Sequence, residues 1–399
     1  MNTFSMRMTP RLGVAVVAAG LVATAGCSGS SSSSSSSSGT ASASASASSS
    51  ASATPSNSAL TFKQIVLGST LKHSYQPNGK GATATESLSQ PDDIVALGGN
   101  LYAGFQNGVG SQGEASTSGN LDSTLVEFTP SGSVVKQWDV TGKIDGMGAD
   151  AASGQVLATV NEDSKSSLYT VAGGTVTHYT YASPLPHLGG TDAVAVDNGK
   201  ILISASAPGT SGKAPASAPA VFAVTLNAGA KTATVAPFFA DNATATGVNG
   251  SNSGKKVTLA LTDPDSNTVV PTTSPKFGGD FMLNSQGDEE LIFSPASGTS
   301  LQVLKLSQSV DDVAWATSAT GTLYTTDSSS NTVDAITGTF TPGTAYTAVT
   351  PCNANSAPST CPAPGYAANS VGTIDLTTGK IGTVANVGLV TPKGMIFVP

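Results

Sequence analysis

Beyond residue 60 the chain alternates between short apolar runs and polar turns. The runs are rich in Val, Ile, Leu, Thr and Ala, and Gly, Asn, Asp and Ser separate them, as is typical of short β-strands. No window of about a dozen residues keeps a helical period of hydrophobic positions. The clearest predicted strands are 93–97, 100–105, 123–128, 155–160, 167–171, 193–196, 200–204 and 220–225. The pattern therefore predicts an all-β domain built from many short strands.

Internal repetition narrows the choice among all-β folds. Residues 258–270 and 322–334 are identical at eight of thirteen positions without a gap, and both consist of an apolar run, an Asp-to-Asn loop and a Thr-Val run. Looser copies begin near residues 101 and 157. This organisation resembles NHL-type and related β-propellers over most of residues 90–399. The resemblance implies a β-propeller fold and says nothing about activity.

The repeats also predict the number of blades. Candidate innermost strands begin near residues 92, 147, 191, 243, 279, 311 and 393, which gives seven blades. Six is the alternative, because the start near residue 243 is only weakly apolar. Residues 391–398 are predicted to form the innermost strand of the last blade, with outer strands from 62–67 and 83–88. Closure by both chain ends leaves no long exposed sheet edge.

The first sixty residues predict where the protein works. Arg7 and Arg11 precede an uncharged apolar run, residues 12–25, and small residues then lead to Cys27. Such a segment is a secretory signal that is too short for a lasting membrane span. With its cysteine it resembles the lipobox of a bacterial, in particular an actinobacterial, lipoprotein, in which Cys27 carries the lipid. The alternative is an ordinary cleaved signal peptide.

Three segments follow from this interpretation. Residues 1–26 are the signal peptide, residues 27–59 are the lipidated cysteine and a disordered Ser/Ala tether, and residues 60–399 are the propeller. A tether of this length and composition spans roughly 30 Å. The predicted location is the extracytoplasmic side of the cell membrane, which the protein contacts through its lipid anchor alone. In that oxidising compartment the two remaining cysteines, Cys352 and Cys361, are predicted to form a disulfide rather than a metal site.

Composition excludes some partners. The net charge is −8 and only 11% of residues are charged. Nucleic-acid binding needs a basic stripe, and Lys255–Lys256 is the only adjacent basic pair. The sequence therefore predicts no nucleic-acid partner and a monomeric protein.

Acidic residues recur near the predicted starts of innermost strands. In a four-stranded blade these starts open on the same face as the loops between the second and third strands, so the carboxylates are expected to ring one channel mouth. Oxygen ligands from several blades suit Ca²⁺ or a cationic ligand, and few basic residues are expected nearby. The alternative is that each Asp closes its own turn. The candidate site residues are Asp92, Asp93, Asp192, Asp280, Asp311 and Asp312, and the loop acids are Glu162, Asp163, Asp263, Asp265 and Asp327.

Two functions remain open from the sequence. His73, His178 and His187 are the only histidines, no nucleophile motif accompanies them, and no catalytic residue is assigned. The favoured hypothesis is a non-enzymatic module that binds a small molecule or a protein over one propeller mouth, without any required cofactor. The second hypothesis is a lactonase-type hydrolase that uses Ca²⁺ held by the mouth carboxylates.

Overall fold

The computed structural model describes residues 60–186, 189–206, 217–349, 369–385 and 388–399. These residues form 28 β-strands, numbered in chain order, together with short 3-10 turns. No helix within the described ranges has the length and apolarity needed to cross a bilayer. The predicted all-β class is confirmed. The predictions for Cys27, Cys352, Cys361 and His187 lie outside the described residues.

The strands build six blades, each of which has four antiparallel strands that follow one another from the channel outward. Blade I contains β4 (Pro91–Leu97), β5 (Asn100–Phe105), β6 (Asp122–Phe128) and β7 (Val134–Thr141), and blade II contains β8 (Ile144–Asp150), β9 (Gln155–Val160), β10 (Ser167–Ala172) and β11 (Thr175–Tyr181). Blade III contains β12 (Val194–Asp197), β13 (Lys200–Ser204), β14 (Pro219–Asn227) and β15 (Thr232–Ala240). Blade IV contains β18 (Pro264–Val269), β19 (Phe281–Ser285), β20 (Glu290–Ser294) and β21 (Gln302–Lys305), extended outward by β16 (Thr244–Gly247) and β17 (Lys256–Thr258).

The C-terminal strands of the chain are divided between the last two blades. Blade V contains β22 (Val313–Trp315), β25 (Ala345–Val349), β26 (Ser370–Ile374) and β27 (Ile381–Ala385). Blade VI contains β28 (Pro392–Val398), β23 (Thr322–Asp327), β24 (Thr332–Thr337) and β1 (Thr61–Leu67). The hairpin β23–β24 thus leaves blade V after its first strand and supplies the middle of blade VI.

The innermost strands form a closed ring. Each one contacts the innermost strand of the next blade, and β28 contacts β4. The described strands therefore make a β-propeller of six blades, which is the alternative count and not seven. Two of the seven candidate starts do not mark innermost strands, and both lie in blade IV. β16, near residue 243, is an outer strand, and β19, near residue 279, is the second strand. The innermost strand of that blade begins instead at Pro264.

Closure by both chain ends is confirmed in part. The C-terminal β28 is the innermost strand of blade VI and the N-terminal β1 is its outermost strand. The other predicted outer strand, residues 83–88, is not in this blade, because β3 (Ala84–Ser87) pairs with β2 (Lys72–Tyr75) in a separate hairpin.

The repeat that suggested the fold does not mark equivalent strands. Residues 322–334 span the β23–β24 hairpin, the second and third strands of blade VI. Residues 258–270 instead run from the end of β17, through a stretch without regular structure, into the innermost β18. The shared feature is therefore the alternation of strand and polar turn rather than a common blade position.

The hydrophobic core lies between blades. Among the described residues there are six buried clusters, and each one draws its residues from two neighbouring blades. In β13 the run Ile201, Leu202 and Ile203 is buried on both faces, because each blade packs against two others. The outermost β7 instead exposes Val134 and Val135. This arrangement explains continuous apolar runs in inner strands and polar outer strands.

Candidate functional site

One position recurs at or just before the start of all six innermost strands. The residues there border a central cavity of about 580 Å³. We call them the mouth ring; in blade order they are Asp92, Asp145, Asp192, Asp265, Asp311 and Lys393. Five carboxylates and one ammonium group thus meet at one mouth of the channel.

The residue that follows each ring position brings neighbouring strands together. Gly146 and Gly394 occupy this position in blades II and VI. A Cβ atom at Gly146 would lie 2.3 Å from the carbonyl oxygen of Asp192, and one at Gly394 would lie 2.6 Å from that of Asp92. Real Cβ atoms do not approach other atoms so closely, so only glycine permits this packing of adjacent innermost strands.

In blades I and V the same position holds a carboxylate that links two blades. Asp93 accepts hydrogen bonds from the backbone N–H of Ile94 at 2.6 Å and from that of Met147 in blade II at 2.5 Å. Asp312 likewise accepts from Val313 and from Met395 in blade VI, both at 2.7 Å. The carboxylates of these two candidate site residues therefore connect the backbones of adjacent blades.

Polar side chains of second strands fix the backbone of the ring. Thr159 donates to the carbonyl oxygen of Asp192 at 2.5 Å, and the side-chain amide of Asn284 donates to that of Asp311 at 2.5 Å. Thr326 donates to the carbonyl oxygen of Asp92. Each donor comes from the blade preceding the one that it holds, so the ring geometry depends on blade-to-blade contact.

Two lysines neutralise part of the ring. The Lys393 ammonium lies 2.7 Å from Asp311 Oδ2 and 3.9 Å from Asp92 Oδ1. The Lys143 ammonium lies 3.2 Å from Asp145 Oδ1 and also pairs with Glu162, which follows the second strand of blade II. Among the described residues, two lysines therefore lie at the mouth, and one of them occupies a ring position.

In the arc formed by blades III and IV, no lysine of the described residues lies within ion-pair distance of the ring carboxylate, although Lys393 acts on Asp265 from farther away. Asp192 is only 5% exposed, and no hydrogen bond or ion pair reaches its carboxylate from the described residues. In Asp265 the buried Oδ2 atom has no hydrogen-bond partner among those residues. We call Asp192 and Asp265 the open arc.

The pKa values follow this distribution of charge. Burial and neighbouring carboxylates hold the pKa of Asp192 well above the usual range, and they do the same for Asp265 although Lys393 opposes them. Burial raises the pKa of Asp92 to about 8 even though Lys393 opposes it. For Asp145, burial acts in the same direction, but Lys143 and other partners outweigh it and lower the pKa to about 2. The pKa of Glu162 is raised to about 9 by burial and by Asp145. A cation in the cavity would favour the ionised form of both carboxylates of the open arc.

Five of the six predicted site residues border the cavity: Asp92, Asp93, Asp192, Asp311 and Asp312. Asp280 does not, because it precedes the second strand of blade IV rather than the innermost one. Its structural counterpart is Asp265, which the sequence placed among the loop acids together with Glu162. The prediction missed Asp145, Lys143 and Lys393. The signal for Asp145 and Lys393 is their position beside Gly146 and Gly394, two residues before a methionine in both blades.

One group of carboxylates has the spacing of a metal site. Oxygen atoms of Asp145, Glu162 and Asp192 lie within 4.8 Å of one another, and oxygen ligands of this kind suit Ca²⁺. However, the Lys143 ammonium contacts two of the three residues. A metal ion at this position would have to share them with Lys143.

The two described histidines lie away from the mouth. His73 is in the β2–β3 hairpin, with Nδ1 at 3.2 Å from Asp139 and Nε2 at 3.3 Å from Glu86. His178 lies on the outermost strand of blade II, stacks on Tyr169 and contacts Ser167. Neither His73 nor His178 borders the cavity.

Comparisons with known proteins describe likeness of shape only. No protein-family model and no curated protein matches the sequence. Similar solved structures include a streptogramin B lyase, at 11% identity, with 80% of this chain and 71% of that chain covered and a TM-score of 0.38.

Two further structures resemble the chain to a comparable degree. A catalytically inactive virginiamycin B lyase from Staphylococcus aureus with quinupristin is 9% identical, with 85% and 96% of the two chains covered and a TM-score of 0.39. A protein of unknown function from Bacteroides caccae is 9% identical, with 84% and 98% covered and a TM-score of 0.43. Likeness at this level carries no argument about activity.

Proposed function

We propose that this protein is a binding module whose ligand enters the central cavity through the mouth ring and carries positive charge. The observation that supports this most directly is the open arc. Asp192 and Asp265 border the cavity, and neither forms an ion pair with a lysine among the described residues, whereas Lys393 and Lys143 form ion pairs with other acids of the ring. Lys393 acts on Asp265 only from a longer distance and does not outweigh the burial of that carboxylate. A positively charged group in the cavity would offset the repulsion between these carboxylates.

Thermal melting in the presence of different cations tests this function. We expect Ca²⁺, Rb⁺ or hexylammonium to raise the melting temperature at constant ionic strength, because a ligand that binds only the folded state stabilises it. Asp192→Asn should abolish the shift, whereas Asp280→Asn, which removes an acid outside the cavity, should retain it. If no cation shifts the melting temperature, or if both variants respond alike, the proposal is wrong.

A Ca²⁺-dependent hydrolase is the second candidate, and one observation favours it. The convergent oxygen atoms of Asp145, Glu162 and Asp192 are the residues that would hold the ion. When bound there, Ca²⁺ would polarise a substrate carbonyl and lower the pKa of a coordinated water. Lys143 keeps Asp145 ionised and would orient the carboxylates around the ion.

Activity assays separate the two candidates. The hydrolase requires that EDTA lower the melting temperature, that Ca²⁺ restore it, and that a panel of lactones and esters reveal turnover dependent on Glu162. A melting temperature indifferent to EDTA and Ca²⁺, together with a panel without turnover, removes the hydrolase. The binding module remains in that case if another cation still stabilises the protein through Asp192.

We further propose that the module is held on the extracytoplasmic face of the membrane by lipid on Cys27. The support is the sequence: Arg7 and Arg11, the apolar run, and the Ser/Ala tether after the cysteine. Cells that express Cys27→Ser should show no incorporation of labelled fatty acid into the protein and should release it from the membrane fraction. Continued labelling of the variant would show that the lipobox interpretation is wrong.

A further inference from the structure

We propose that the ligand is an organic ammonium compound with an apolar body, whose ammonium group lies at Asp192 and Asp265 and whose apolar part lies along the channel wall. This inference rests on the proposed function, since it names the ligand class for the same cavity. It commits to an amine-bearing small molecule rather than a metal ion.

The charge pattern of the mouth ring selects the position of the ammonium group. In blade VI the ring position holds Lys393, where the other blades have an aspartate. Blade VI lies opposite blade III in the ring of six innermost strands. Asp192, the ring residue of blade III, is therefore the acid placed across the channel from the only lysine of the ring. Lys143 provides a counter-charge in blade II. Positive charge entering the mouth is repelled by Lys393 toward the opposite side of the ring, where Asp192 lies.

The state of Asp192 points independently to a ligand. Its side chain is 95% buried, as the 5% exposure implies, and it borders the cavity without a hydrogen-bond donor or cation from the described residues. Asp265, the other member of the open arc, adds a buried Oδ2 atom without a hydrogen-bond partner among the described residues, and such atoms call for an explanation such as a bound group. An ammonium group supplies up to three donors and a full positive charge.

The channel wall provides a second, apolar ring. Four positions after the mouth ring, every blade contributes an apolar residue that borders the same cavity. These residues are Ala96, Ala149, Val196, Val269, Trp315 and Phe397. At the rise of a β-strand, four residues span about 13 Å. The cavity thus runs from carboxylates to hydrocarbon over the length of a small organic molecule.

The size of the cavity and its apolar ring favour such a molecule over a bare metal ion. The cavity of about 580 Å³ lies within the range of pockets for small organic ligands, about 300–1,000 Å³. A metal ion would use neither this volume nor the apolar ring.

Calorimetric titration with a series of primary amines tests the inference. The probes are n-butylamine, n-hexylamine and n-octylamine at about pH 8, where the amines are charged and the carboxylates ionise more readily. We expect binding to tighten about fourfold for each added methylene group that enters the cavity. Hexanol, which lacks the charge, and hexanoate, which reverses it, should not bind measurably.

Conservative variants locate the ammonium group. Asp192→Asn and Asp265→Asn should each weaken hexylamine binding by roughly tenfold or more, because a charge-assisted hydrogen bond is lost. Asp280→Asn, outside the cavity, is the matched control and should bind as the unaltered protein does. The melting temperature of Asp192→Asn should be at least that of the unaltered protein, which shows that weaker binding does not reflect unfolding.

The outcomes separate this inference from the proposed function. Affinity independent of chain length, or hexanol binding as tightly as hexylamine, overturns the inference. Binding of Ca²⁺ or Rb⁺ that depends on Asp192, without binding of any amine, also overturns it but leaves the proposed function in place. If neither metal cations nor amines bind, both are wrong.

Discussion

Asp192 and Asp311 occupy the same position in two blades but have different surroundings. Asp311 pairs with Lys393 at 2.7 Å and accepts a hydrogen bond from Gln286 at 3.1 Å, whereas the described residues give Asp192 neither kind of partner. Identical residues at equivalent positions therefore serve different purposes. Asp311 belongs to an internal charge network, whereas under the proposed function Asp192 is the acid that meets the ligand.

At the same scale, His73 is predicted to make stability depend on pH. Burial alone lowers its pKa, but the carboxylates of Asp139 and Glu86 outweigh burial and raise the pKa above 6.5. The imidazolium therefore stabilises the folded protein fully below pH 6.5, and this contribution is lost as the pH rises through the folded-state pKa. The melting temperature of the unaltered protein should exceed that of His73→Gln most at about pH 5.5, and the difference should shrink by about pH 8.

The difference between the two proteins isolates this histidine. Carboxyl groups of the mouth ring titrate over the same range, but they do so in both proteins and cancel. His178→Gln is the control, because burial lowers the pKa of His178 and no carboxylate pairs with it in the described structure. A constant difference between His73→Gln and the unaltered protein across this pH range would contradict the prediction.

Sequence alone identified the acids of the mouth better than the bases. Asp92, Asp192 and Asp311 were found because each precedes an apolar run. Lys393 occupies the same position in its blade, but it was missed because only carboxylates were sought there. Lys143 reaches Glu162 only because the loop after β9 folds beside the start of β8, and no sequence spacing encodes that contact.

At the scale of strands, the glycine after the ring residue determines how closely blades approach. Gly394→Ala places a Cβ atom about 2.6 Å from the backbone of Asp92 and Asp93. Overpacking of this kind typically costs about 1–3 kcal/mol. We expect chemical denaturation of this variant to show a free energy of unfolding reduced by that amount.

Gly229→Ala is the matched control for that experiment. Its Cβ atom would meet only the side-chain oxygen of Asn227, at 3.6 Å, which is an ordinary contact. Equal stability of Gly394→Ala and Gly229→Ala would show that the close approach of β28 and β4 does not constrain the fold.

Individual strands were easier to predict from the sequence than their places in the blades. Apolar runs such as residues 200–204 formed strands as expected, because blades bury both faces of their inner strands. The favoured count of seven blades, rather than the alternative of six, was wrong because the weak strand near residue 243 lies at the outer edge of blade IV. Whether a strand is innermost depends on which other strands it pairs with, and the period of its hydrophobic positions does not encode that pairing.

At the scale of the whole molecule, the two ends of the chain complete one blade. Blade VI needs β28 from the C-terminus and β1 from the N-terminus. Deletion of residues 392–399 should abolish cooperative thermal unfolding, because it opens the ring and removes Lys393. Deletion of residues 60–67 should lower the melting temperature by a smaller amount, since it uncovers only the outer edge of β24.

A chain that begins at residue 60 is the reference for both deletions. Far-ultraviolet circular dichroism with a thermal ramp provides the comparison. If either shortened protein unfolded at the temperature of the reference, closure of the propeller by that strand would not stabilise the molecule.

The central claim is that the open arc of the mouth ring binds positive charge. Crystals of the protein soaked in Rb⁺, an ion close in size to ammonium, at about pH 8 test this directly. The account predicts an anomalous scattering peak in contact with the carboxylates of Asp192 and Asp265, and no such peak in crystals of Asp192→Asn. If no anomalous peak is present at the mouth ring, or if the peak persists in Asp192→Asn, the claim is contradicted.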